Sequence, residues 1–90
     1  MNFEFAPRKS EANKVKHGID FEQAQSLWDD ANRIDAPVRW TDEQRWISVG
    51  VIDGKFWTAV WTKRDQAVRI ISVLRARREE VDGYESRGLR

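Results

Sequence analysis

RWISVGVIDGKFWTAVWTKR, residues 45–64, decides the fold. Two apolar-rich runs, Arg45–Ile52 and Lys55–Arg64, flank Asp53-Gly54, a strong signal for a two-residue β-hairpin. A type I′ turn there sets the register: Trp46 faces Trp61, Ile47 faces Val60 and Gly50 faces Trp57. One sheet face then carries Trp46, Trp57, Ala59 and Trp61, and the other Ile47, Val49, Val51, Phe56 and Val60. Because both faces are largely apolar, the hairpin belongs in the middle of a sheet with helices packed on at least one side.

Outward from the hairpin, Ile34, Ala36, Val38 and Trp40 alternate with polar residues and predict a strand, which Pro37 confines to an edge or a bulge. On the other side, a turn at Asp65-Gln66 leads into a Val- and Ile-rich strand over Ala67–Leu74. A helix follows from Ala76 to about Glu85, with Val81 and Tyr84 on one side and Gly83 weakening it by roughly 1 kcal/mol relative to alanine. Nearer the start, Phe3 and Phe5 suit a short strand and Pro7 the first position of a helix running to His17. Gly18 can close that helix in the left-handed conformation, and His17, if protonated, would sit favourably at the negative end of the dipole. Asp20 and Gln23 form a capping box for a second helix with Phe21, Ala24, Leu27 and Trp28 on one face, ended by residues 29–32. The expected architecture is α+β, a small, mainly antiparallel sheet with two helices before it and one after. A single domain covers residues 1–90, with a flexible tail over residues 87–90.

The charge is segregated. The chain of 90 residues has a net charge of +1, yet residues 44–78 hold eight Lys or Arg against two carboxylates, a local +6. Such a patch over strand-like sequence points to a polyanion, phosphate being the commonest. There is no cysteine, and one histidine without neighbouring ligand spacing, so neither a disulfide, a protein-built metal site nor a cofactor is expected. No apolar run approaches the ~18 residues of a membrane span, and the N-terminus lacks the basic and apolar regions of a secretory signal, so a cytoplasmic location is expected.

Two clusters complete the pattern: Phe5-Ala-Pro-Arg-Lys9, Asn13 and Lys16-His17-Gly18 near the start, and Arg69-Ile-Ile-Ser72, Arg75-Ala76 and Tyr84-Glu85 near the end. In order and spacing, over nearly the whole chain, they resemble the BrnT-type ribonuclease toxins of bacterial toxin–antitoxin modules. The resemblance implies a RelE-like fold and RNA cleavage. It also implies a neutralising antitoxin with a ribbon-helix-helix DNA-binding region, so that operator DNA is reached only through the antitoxin in a hetero-oligomer. Two departures matter. Ala6 stands where the family usually has Asp, at a helix N-cap. The family's Ser-x-Arg-Arg-Ala segment reads Ser72-Val73-Leu74-Arg75-Ala76, and if the missing arginine touches the scissile phosphate this chain is weak or inactive.

RNA is cut without metal when a base takes the 2′-hydroxyl proton, cations hold the pentacoordinate phosphate and an acid protonates the leaving oxygen. Arg64 and Arg75 are the expected phosphate-stabilising residues, with Arg69 close behind. His17 and Tyr84 are the proton-transfer candidates, with Glu79 or Glu80 as an alternative base. Lys9, Lys16, Arg45 and Arg69 are expected along the RNA backbone. A second reading is a non-catalytic module that binds an antitoxin through the Trp46, Trp57 and Trp61 face and contributes to DNA-binding autoregulation. A general RNA-binding domain ranks third, since neither an exposed aromatic RNP pattern nor a GXXG loop is present.

Overall fold

A computed structural model describes residues 1–39 and 42–88. Among them, β1 (Asn2–Glu4), α1 (Pro7–His17), a 3-10 helix (Gln23–Asp29), β2 (Ile34–Val38), β3 (Arg45–Ile52), β4 (Lys55–Arg64), β5 (Ala67–Arg75) and α2 (Arg78–Gly88) follow in chain order. The sheet has the order β1-β5-β4-β3-β2. The hairpin forms as its turn dictates. Asp53 and Gly54 both take positive φ, 49° and 77°, and Trp46, Ile47 and Gly50 pair with Trp61, Val60 and Trp57. β2 is an edge strand, where Pro37 leaves no inner ladder bond unmade. Trp40 of the expected strand lies outside the described residues.

Three expectations are corrected. The sheet is mixed, because β1 pairs in parallel with β5 through Phe3 and Val68. That direction lets the chain leave Glu4 toward the exposed edge of β5, which α1 then covers: the Asn13 amide donates to the Val73 carbonyl at 2.9 Å and accepts from its N–H at 3.2 Å, replacing a neighbouring strand. The second helix is a 3-10 helix. Its capping box forms, Asp20 and Gln23 exchanging bonds of 2.7 and 3.0 Å, but Phe21, Ala24 and Leu27 recur every three residues and make one buried stripe at three residues per turn. Finally, α2 runs from Arg78 to Gly88 instead of from Ala76 to about Glu85, while residues 89 and 90 lie outside the described residues.

The main core lies between one sheet face and α1 with the 3-10 helix. There Phe21, Leu27, Ile70 and Val73 are essentially inaccessible, and Trp57 and Trp61 are each 7% exposed. The Trp61 indole N–H donates to Ser48 at 2.8 Å, which satisfies its polar edge. The Trp46, Trp57 and Trp61 face offered above as a partner surface is therefore the covered face. α2 packs on the opposite face, with Tyr84 edge-on to Phe56 at 5.2 Å. No helix among the described residues is long and apolar enough to cross a membrane.

Ala6 is the N-cap of α1, with extended backbone and no side-chain cap bond. Replacing it with aspartate is expected to stabilise the protein by about 0.5–2 kcal/mol. The check is thermal denaturation, where a domain of this size gains roughly 4–8 °C per kcal/mol; an unchanged midpoint means that the N–H groups of the first turn gain nothing from the carboxylate.

Candidate functional site

Residues paired directly across neighbouring strands point to the same sheet face. On the face opposite the main core, Arg45 of β3 pairs with Thr62 of β4, Thr62 with Arg69 of β5, and Arg69 with Glu4 of β1. Arg64, two residues beyond Thr62, shares that face by strand alternation. Three arginines thus surround Thr62. Arg69 is held by Glu4 at 3.0 Å, and Glu43 lies between Arg45 and Arg64 at 3.5 and 3.7 Å.

A β-bulge extends this surface toward α1. The β4–β5 register shifts between Val60 and Trp61, so that Ile70 pairs with Trp61 but Ser72 with Val60, leaving Ile71 as the extra residue. Arg69 and Ser72 are three positions apart and would point oppositely in a regular strand; the inserted residue brings both to one face. Leu74, paired with Thr58, follows them there. Beside Ser72 lies a hollow of about 200 Å³ whose other wall is α1, with Lys9, Asn13, Lys16 and His17 lining it. Positions 9, 13, 16 and 17 form one helical stripe, and because Asn13 docks on Val73, the stripe faces the edge of β5. Ser72, which lines the hollow with Lys9, Lys16 and His17, therefore shares one sheet face with Arg69, Arg45 and Arg64.

Arg75 lies elsewhere. The same bulge sends it to the core-side face, paired with Trp57, where its guanidinium sits 5.3 Å from the indole ring and its Nε donates to the Phe56 carbonyl at 3.3 Å. Glu80 accepts from Thr58 at 3.0 Å and from the Arg77 N–H at 2.8 Å, closing the start of α2, while Glu79 is exposed in its first turn.

Tyr84 also has a partner away from this surface. Its hydroxyl donates to Asp30 Oδ2 at 2.9 Å, and the same oxygen accepts from the Val51 N–H at 2.9 Å, while Oδ1 accepts from the Asn32 N–H. Gly50 permits this: a Cβ there would meet Leu27 at 3.0 Å and Asp30 at 3.1 Å. Burial alone would raise the Asp30 carboxyl, but the Val51 and Asn32 N–H groups, the Tyr84 hydroxyl and Arg33 outweigh it and hold Asp30 below its ordinary 3.8. Burial first, and then the Asp30 carboxylate, push Tyr84 above 10. A depressed acid contributes stability above its unfolded value and loses it as pH falls through the folded one. For Tyr84, whose neutral form is favoured, the contribution is present below pH 10 and is lost as pH rises through the folded value. The pair therefore stays intact between those limits, with Tyr84 keeping its proton at neutral pH. Tyr84→Phe is expected to cost about 1–2 kcal/mol, a bond to a charged group discounted for partial exposure. Urea denaturation at pH 7 measures it.

Asn13, Thr62, Ser72 and Asp30 were not among the expected site residues. Asn13 and Ser72 belonged to the family pattern without a role; Thr62 and Asp30 gave no signal in the sequence. A family model described as "Ribonuclease toxin, BrnT, of type II toxin-antitoxin system" matches residues 5–80. No curated protein matches the chain.

Proposed function

The chain belongs to the BrnT family of ribonuclease toxins of type II toxin–antitoxin systems, and on that premise we propose that it is a metal-independent endoribonuclease that inhibits translation by cutting RNA on the α1-flanked sheet face. The observation that supports this reading is that shared face and its hollow: one histidine, two lysines and three arginines around Ser72 and Thr62. In this mechanism His17 takes the 2′-hydroxyl proton or returns one to the 5′ leaving oxygen. Lys9, Lys16 and Arg69 hold the charge of the pentacoordinate phosphate, and Arg45 and Arg64 hold the backbone further along. Arg75 supports Trp57, and Tyr84 and Glu80 fix α2, outside the chemistry. The fold is read as RelE-like. A ribbon-helix-helix antitoxin covers the face, neutralises its charge and brings the pair to operator DNA.

The test is incubation of the partner-free protein with RNA in EDTA. Products with 2′,3′-cyclic phosphate ends support the reading, and binding without cleavage refutes it.

That second outcome is the alternative, a toxin-like module without activity, and one observation favours it. Leu74 occupies the active face in line with Ser72, at the position where the family pattern has arginine. Leu74→Arg adds a cation beside Ser72 and Glu80, and is expected to raise cleavage and growth inhibition by about tenfold or more, since one well-placed charge donor contributes ~10²–10³ in such sites. Equal activity of the two proteins would show that position 74 does not meet the phosphate.

A further inference from the structure

The carboxylates that meet these arginines, Glu4 and Glu43, are held differently. Glu4 meets Arg69 at 3.0 Å, a charge-assisted hydrogen bond that orients the guanidinium. Glu43 meets two arginines from neighbouring strands with one oxygen each, Oε2 at 3.5 Å from Arg45 Nε and Oε1 at 3.7 Å from Arg64, both longer than such a bond. The residue after it, by contrast, is anchored. Thr62 donates to the Gln44 carbonyl at 2.7 Å, and Gln44 donates to the Arg45 and Val38 carbonyls at 2.8 and 3.3 Å. A loosely held anion next to the anchored Gln44 thus faces two guanidinium groups.

We propose that Arg45 and Arg64 form a phosphate subsite that Glu43 occupies in the unbound protein, so that a nucleic-acid phosphate enters by displacing an internal carboxylate. Two oxygens on one centre, each turned to a different guanidinium, reproduce what a phosphodiester offers. Arg45 and Glu43 are partly buried and Arg64 is half exposed, and ion pairs at these distances are weak, whereas a phosphate brings additional oxygen and charge to the same two groups. β3 and β5 are about 10 Å apart, two strand spacings, so one RNA strand lying across the sheet meets Arg69 and then this subsite at successive phosphates. Glu43 thereby weakens binding of short or poorly placed anions and makes a continuous backbone necessary. The inference rests on the ribonuclease reading, since it takes that surface as the RNA track.

The test uses the full chain in EDTA and a fluorescent 2′-deoxy oligonucleotide, which lacks the attacking hydroxyl and stays intact, with anisotropy read over a salt series. Glu43→Gln and Glu43→Ala are each expected to bind about two- to fivefold tighter, with a salt dependence steeper by about one charge. Arg64→Gln is expected to bind more weakly, and adding Glu43→Gln to it restores little. Unchanged or weaker binding by both Glu43 variants, with thermal midpoints near that of the parent, overturns the inference while leaving the ribonuclease reading in place. Absence of salt-dependent binding by every variant overturns both.

Discussion

His17→Ala is expected to lower RNA cleavage by about 10²- to 10⁴-fold, the usual contribution of one positioned acid or base. Imidazole suits proton transfer near neutral pH, and His17 is the one histidine of the chain. It lines the hollow beside Ser72 with Lys9 and Lys16. The structural alternative is that it serves only as a charge at the end of α1, where it ranks with Lys14 and Lys16 in the last turn. The two roles separate in measurement. A dipole partner contributes about 0.3–1 kcal/mol to stability and nothing specific to chemistry. A proton-transfer group changes the turnover rate and removes one limb of the pH–rate profile, while affinity for an uncleavable oligonucleotide stays near that of the parent. If His17→Ala cuts RNA at the parental rate with the same pH profile, the proton-transfer role is gone and the histidine is a helix-end charge.

Arg69→Ala is expected to cost about 10²- to 10³-fold in cleavage, the range for removing one fixed donor to a developing anion. Arg69 sits in the middle of the surface, between the α1 stripe with Ser72 and the Arg45–Arg64 pair, and Glu4 fixes its guanidinium from β1. Arg69→Lys keeps the charge but loses the planar fork, so partial activity is expected. Glu4→Gln keeps the arginine but frees it, and is expected to reduce turnover less than Arg69→Ala while leaving oligonucleotide affinity equal or higher. Arg75→Ala supplies the contrast: it removes an exposed cation stacked on Trp57, so its cost falls on stability, by about 0.5–1 kcal/mol, with turnover close to that of the parent. A loss of cleavage by Arg75→Ala equal to that of Arg69→Ala, without loss of stability, would falsify the assignment of the active face.

How far these residues could be read without the fold depends on whether local chemistry fixes them. The Asp53-Gly54 turn does, because two consecutive residues with positive φ leave the hairpin one register, and the Trp46–Trp61 pairing follows. α1 does too: Pro7 starts it, Gly18 stops it at φ 82°, and its stripe of Lys9, Asn13, Lys16 and His17 is a matter of helical spacing. The expected helix after the capping box came out as a 3-10 helix, because Phe21, Ala24 and Leu27 satisfy a period of three as well as they satisfy 3.6 and the core took the tighter form.

By itself, then, the sequence determined the central hairpin, the limits of α1, the excess of positive charge and, through the joined N- and C-terminal motifs, the family. Which cations meet was decided by the tertiary structure. Along β5 strict alternation puts Arg69 and Arg75 on one face and Ser72 and Leu74 on the other; the one-residue bulge at Ile71 reverses every side chain beyond it, so Arg75 leaves for Trp57 while Ser72 and Leu74 join Arg69. The bulge belongs to the pairing of β5 with β4, and no residue of Arg69-Ile-Ile-Ser72 announces it. The approach of α1 to that face depends likewise on Asn13 reaching Val73 across sixty positions of chain, a hydrogen bond that local spacing does not encode.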